Sequence, residues 1–382
     1  MTAAPSARPR PGLAVRAWAL LAVPTVAIVL SLLVGAVIIF VFSVIVAREA
    51  FDPALPLKAY GALFNGSLGS FDGLVETAVQ AAPLLLAGLG VAVGFRAGLF
   101  NIGAQGQFLL GALGAVWIGA SLADASPVVV IPLALLVSVL VGAAWAGIAG
   151  YLKATSGAHE VVTTIMLNYV ALALLSWLVA GPLRLTNSPQ PVTAGVGNAA
   201  LPILIGRDGH IGILIALAAV PLVWFLLHRT TIGFEIRSVG ANADAARYAG
   251  MRPRFVILLT MALAGGLAGL AGGTTLLGLS QQMPAGYSTT VGFDAITVAL
   301  LGRSNPWGVL PASILFGAMR AGAGSMQIQA GVPADLVYII QAIILLFLIV
   351  DVLLRQLPGL RGAQTGLVTS AAVVHVAGGE SG

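Results

Sequence analysis

Apolar residues in this chain come in long unbroken runs, not in alternation with polar ones. Runs cover about 17–47, 74–95, 99–122, 128–151, 160–181, 211–228, 255–277, 290–302, 305–323 and 333–354. A helix needs about 20 apolar residues to cross a bilayer. The pattern therefore predicts an all-α polytopic membrane protein with about ten transmembrane helices. The eighth run is too short to cross alone and predicts a broken or re-entrant helix, which membranes admit where backbone lines a cavity. The first run is longer than the roughly 7–15 residues of a signal-peptide core, so it reads as an uncleaved span. The Pro/Ala/Arg-rich segment 1–16 before it and the segment 356–382 at the other end read as flexible tails.

Composition agrees with the pattern. Of 382 residues, 59% are hydrophobic and only 8% charged, against about 25% charged in soluble domains. No loop reaches the roughly 50 residues of a small soluble domain, so any large aqueous domain must belong to another chain. The net charge of +5 reflects basic loops, not a nucleic-acid surface. With the N-terminus inside, 13 of the 18 basic residues fall in cytoplasmic segments, among them Arg96, Lys153, Arg229, Arg237, Arg247, Arg252, Arg254 and Arg303. Five, Arg48, Lys58, Arg184, Arg207 and Arg320, fall outside. That bias places both termini in the cytoplasm, as an even number of spans requires. A five-plus-five inverted repeat fits the layout. Gly90, Gly94 and Gly98, and likewise Gly265 and Gly269, sit four apart, a spacing that lets helices approach closely.

Enzyme signatures are missing. There is no cysteine, and His159, His210, His228 and His375 lack metal-ligand spacing. HExxH and G-x-S-x-G do not occur. A phosphate loop needs Gly-Lys-Ser/Thr, and the two lysines follow Leu57 and Leu152. If the protein works uphill on ATP, another subunit binds the nucleotide.

Polar residues inside the runs are the candidates for chemistry. Asn101 and Gln105 fall four apart at the start of the third run, on one helix face. Amides at membrane depth must be paired, so they either clamp helices together or contact a solute. In the fifth run Glu160, Thr164 and Asn168 form an i, i+4, i+8 stripe. Asn168 lies about 12 Å deeper than Glu160, near the mid-membrane depth of transporter sites. Pathway and packing roles both stay open for it. Asp294, at the start of the eighth run, is placed to cap a half-helix or to line a pathway. In a cytoplasmic loop, Asn242 can cap a short helix, Asp244 favours its first turn, Gly250 can end it and Pro253 stops it. Asn242, Ala245, Ala246 and Ala249 fall on one face of that helix, nearly smooth, with Arg247 on the other side. Such a helix is shaped for docking.

Together the stretches 95–112, 160–171, 240–251, 292–303 and 333–347 resemble the permease subunits of bacterial ABC importers. The similarity is to the branched-chain amino acid/simple sugar permease type, closest to nucleoside-uptake permeases. Two positions depart from that pattern: His159 stands where Asn often precedes Glu, and Gln105 where Glu often stands. The resemblance implies a permease domain over 17–355 in the bacterial cytoplasmic membrane, with no enzymatic activity and no cofactor of its own. It implies a second permease subunit, cytoplasmic ATPases and an extracytoplasmic binding lipoprotein as partners. It makes 241–250 the ATPase-coupling helix and leaves Asn101, Gln105, Thr164, Asn168 and Asp294 as pathway candidates. Uptake of a nucleoside, or alternatively of a ribose- or galactose-like sugar, is the expected function. An ion-coupled carrier would want intramembrane acids, and only Glu160 and Asp294 qualify, both near run ends.

Overall fold

The structure is a computed structural model; it describes the backbone of residues 13–46, 52–186 and 188–354, and side chains for 25–45, 52–186 and 188–347. The described chain is mostly helical, 77%. Six of its helices are long and apolar enough to cross a membrane. The expected tails lie outside the described residues, except that 13–16 already belong to the first helix.

The chain divides into two units. One holds α1 (Leu13–Val41), which runs on into a π-turn at Phe42–Val46, and α13 (Leu336–Leu354) from Tyr338 onward. Helix α1 and the π-turn after it bury one stripe, Ala27, Ser31, Gly35, Ile39 and Ser43, at steps of four residues. Ser31 keeps its hydroxyl bonded to the Ala27 carbonyl at 2.7 Å, which makes a polar side chain tolerable there.

The second unit runs from Leu57 to Val337. It contains α2 (Leu55–Ser67), α3 (Phe71–Arg96), α4 (Ala104–Ser121), α5 (Pro127–Ser156) and α6 (Glu160–Ala180), then α7 (Gly212–Arg229), α8 (Thr231–Ala241), α9 (Ala243–Tyr248), α10 (Pro253–Thr275), α11 (Val291–Leu301) and α12 (Pro306–Ala330). Helix α3 is the axis of this unit: it is buried almost all round and packs on α10, α11, α12 and α7. Helix α10 packs on α5, α4 and α3. Gly265 and Gly269 meet the backbone of α5, and Gly269 also meets Gly111 of α4. A methyl group there would collide with main chain, so the four-residue glycine spacing serves close packing.

Several boundaries differ from the sequence pattern. The third run does not form one helix from 99. Gly98 turns the chain at φ +70, residues 99–103 stay non-helical and α4 begins at Ala104. Hydropathy reports depth, not backbone conformation, so an apolar turn and an apolar helix look alike. Helix α11 has 11 residues, about 16 Å, which is half a bilayer and agrees with a broken helix. Helices α2 and α8, both outside the apolar runs, were not predicted. Neither was a two-stranded ribbon, β1 (Ile203–Ile205) with β2 (Gly209–His210), which with two isolated bridges, Arg184 to Thr193 and Val192 to Pro284, departs from an all-α architecture.

The two ends of this unit are distinct. At one end Arg96 Nε donates to the Ser304 carbonyl at 2.8 Å, and Gly240 abuts Arg96 and Ala97. This gathers the C-terminus of α3, α8 and the α11–α12 elbow. At the other end a polar cleft of about 460 Å³ lies between the α2–α3 turn, the ribbon and the end of α12, with Ser70, Asp72, Glu76, Arg207, Asp208 and Gln329 in its wall.

Candidate functional site

The N-terminus of α4 is held by four amide side chains. Asn101 sits in the turn before α4, so it shares no helix face with Gln105; its partner is Gln107. Asn101 Nδ2 donates to Gln107 Oε1 at 3.0 Å and Gln107 Nε2 donates back to Asn101 Oδ1 at 3.1 Å. The same Oδ1 accepts from Gly103 N at 2.9 Å, closing the turn. Gln105 reaches across to α11, giving Nε2 to the Thr289 carbonyl at 2.6 Å and accepting from Gly292 N at 2.9 Å. Asn168 of α6 accepts from Gly106 N at 2.8 Å and donates to the Ile102 carbonyl at 2.9 Å. Thr164, one turn earlier, returns its hydroxyl to the Glu160 carbonyl at 2.7 Å and packs beside Gly103. All five side chains are buried.

The arrangement has a physical cause. A helix that starts inside a bilayer leaves its first N–H groups without water or intrahelical partners. Amides carry both a donor and an acceptor, so Asn101 and Asn168 meet the exposed N–H groups at Gly103 and Gly106 while staying paired themselves. The structure thus brings Asn101, Gln105, Thr164 and Asn168 together around one helix start, with their hydrogen bonds spent on this chain. Gln107 completes the set and was missed, because two residues from Gln105 and six from Asn101 it shares a helical spacing with neither.

Asp294 lies in the first turn of α11 but does not cap it. Its Oδ2 accepts from Arg320 of α12 and, at 2.9 Å, from Thr290 Oγ1. Arg320 also donates to Thr290 Oγ1 at 2.7 Å. Arg320 was read from sequence only as an outside charge near the end of the ninth run, since its partner is 26 residues away. Glu160 pairs with Lys153 at 2.8 Å across the α5–α6 turn.

The short helix outside the apolar runs forms as its cap residues predict. Asn242 Oδ1 accepts from Asp244 N at 3.0 Å and Ala245 N at 2.9 Å, and Gly250 ends the helix at φ +85. One correction concerns its face. Ala246 is the one buried residue of α9, in an element that packs on α8 and α10. The spacing identified a face but not which edge of it the chain itself needs as a seat. Ala245, Ala249 and Gly250 remain exposed, with Asp244 and Arg247 3.9 Å apart. Tyr248, 94% exposed, projects from the same helix.

His210, in the ribbon and outside the spans, is buried, and its Nδ1 accepts from Gly212 N at 3.1 Å. Burial pushes the imidazole below its ordinary 6.5, partly opposed by Asp208. Among the described residues no group of His, Asp or Glu could hold a metal.

A glycine-packed helical body, a helix start clamped by amides and a half-length α11 define a polytopic membrane transport protein. The chain belongs to the branched-chain amino acid transport system permease family, whose model matches residues 73–349, and it is an ABC transporter permease subunit. Guanosine ABC transporter permease protein NupP of Bacillus subtilis is 40% identical over 347 residues, 89% of this chain and 96% of NupP. Glucose ABC transporter permease protein TsgB13 of Haloferax volcanii is 38% identical, covering 88% of each chain. Nucleoside ABC transporter permease protein NupB of Lactococcus lactis is 33% identical over 90% of this chain and 95% of NupB. No solved structure matches the chain.

Proposed function

We propose that this chain is the permease of a nucleoside importer in a bacterial cytoplasmic membrane, with both termini in the cytoplasm. The observation that carries the reading is the 40% identity to a guanosine permease across nearly all of both chains. The intramembrane polar groups also suit a neutral solute: they are amides, hydroxyls and one charge-neutral ion pair. A second reading, a sugar permease, is supported by the similarity to a glucose permease.

The chain contributes transport without a nucleotide site or cofactor of its own. Two permease subunits form the pathway, to which Asp294 contributes, while the amides at Asn101, Gln105, Gln107 and Asn168 hold the broken helices that shape it. ATPases seat beneath the Asn242–Gly250 helix. The binding lipoprotein docks over the end that carries the polar cleft.

The test is uptake by the reconstituted importer. Purine and pyrimidine nucleosides should be accumulated on ATP hydrolysis, and glucose should not compete. Accumulation of glucose or ribose with no nucleoside uptake would move the assignment to sugars.

A further inference from the structure

The Thr290–Asp294–Arg320 cluster sits where charge is costly. Asp294 lies eight residues from Gly302 at the elbow end of α11, about 12 Å, and Arg320 lies 14 residues from Pro306, about 21 Å along α12. Counted from that elbow against a hydrocarbon thickness of about 30 Å, both fall within the apolar depth and neither is at its elbow edge. The two side chains are nevertheless partly open, 17% and 10% exposed, and Thr290 beside them is exposed. Open charges at that depth cannot face lipid. They face a wet cavity or the second permease.

The cluster has a polarity of its own. Asp294 Oδ2 already takes Arg320 and Thr290, whereas Oδ1 has no hydrogen-bond partner among the described residues. Thr290 spends its proton on Oδ2 and its lone pair on Arg320. The pair is charge-neutral, so it does not favour an ion. What it offers is one strong acceptor, so it selects a solute that donates. The amide edge of a base would want both carboxylate oxygens, and one is occupied. Two adjacent hydroxyls can share the lone pairs of a single oxygen.

We propose that Thr290, Asp294 and Arg320 form the solute contact of the pathway, with Asp294 Oδ1 accepting the 2′,3′-diol of a ribose. The proposal rests on the reading of the chain as a nucleoside permease. It makes Asp294 a specificity-determining residue, held in position by Arg320 and Thr290.

The experiment uses the complete importer in liposomes, with its binding protein saturated in turn by a purine ribonucleoside and by the 2′-deoxy counterpart. Saturation removes the binding protein's own preference. The ribonucleoside should be translocated about tenfold faster, the factor one hydrogen bond to a charged group supports. Equal rates overturn the proposal and leave the nucleoside reading intact. Uptake of neither overturns both. In Asp294→Asn, the amide oxygen turns to Arg320 and Thr290, so an N–H₂ replaces the acceptor. The ribonucleoside rate should fall to that of the 2′-deoxy compound. The charge exchange Asp294→Arg with Arg320→Asp retains an ion pair between α11 and α12. If it restores uptake with the wild-type preference, the pair is only a staple and the proposal fails. If the variants do not accumulate, the wild-type comparison of the two solutes decides alone.

Discussion

Gln105 ties the start of α4 to the start of α11 with both ends of one amide: its Nε2 donates to the Thr289 carbonyl at 2.6 Å and its Oε1 accepts from Gly292 N at 2.9 Å. Two helices that begin inside the membrane are thereby joined at their most polar points. Gln105→Leu keeps the bulk and orphans both backbone groups, each costing about 1–3 kcal/mol when buried. Thermal unfolding of the detergent-solubilised protein should shift down by several degrees, and membrane abundance should fall. An unchanged unfolding temperature would show that the clamp carries no stability.

Asn168 makes the same kind of bond from α6. Its two partners, Gly106 N and the Ile102 carbonyl, are backbone groups that no water can serve. Asn168→Leu should therefore reduce accumulation of the protein together with uptake. Normal abundance with abolished uptake would instead assign Asn168 to the solute.

The clamp also marks how far the sequence could be read. Six of the ten apolar runs coincide with helices long and apolar enough to cross a membrane, and the short eighth run announced the half-length α11. The Asn242 cap and the Gly250 stop were legible because both act within four residues. The partners of Gln105 were not, because they lie 184 and 187 positions away. Arg320 looked like an end-of-span charge until α11 came beside α12. The break at 97–103 was hidden because its residues are as apolar as the helices around it. Local chemistry was readable; pairing across the bundle was not.

His210 predicts an acid-sensitive ribbon. Its folded pKa lies below the ordinary 6.5, so the unfolded chain binds the proton more readily. The stability contribution is complete above about pH 6.5 and is lost as pH falls from there towards the folded value. Wild-type protein should lose thermal stability between pH 7 and 5. The loss should be smaller in His210→Gln, which stays neutral throughout. Parallel curves for the two proteins would remove His210 from the account.

Topology can be tested on a cysteine-free background. Leu57 is 78% exposed and belongs to the segment assigned to the outside. Leu57→Cys should react with an impermeant thiol reagent in intact cells. Tyr248→Cys should react only after permeabilisation. The opposite pattern would invert the protein and remove the docking reading of α9.

The α9 helix allows a separation of seat from surface within six residues. Ala246 is buried in an element packed on α8 and α10, so Ala246→Glu forces a charge into the chain's own packing. That variant should accumulate poorly, and its loss of uptake would say nothing about an ATPase. Ala245 and Ala249 are exposed methyl groups on a helix fixed at both ends by Asn242 and Gly250. Bulk there meets only water in the isolated subunit, and surface substitutions of this kind usually change stability by less than about 0.5 kcal/mol. If an ATPase seats against this helix, Ala249→Trp blocks close approach. The permease should then reach normal abundance, fail to retain the ATPase during purification and lose uptake. Asp244→Ala serves as the control, since its ion pair with Arg247 is 3.9 Å long and largely exposed and surface pairs contribute little. Uptake should stay near wild type there. If Ala249→Trp transports normally with its ATPase bound, the exposed face of α9 is a solvated connector and the ATPase must engage another surface.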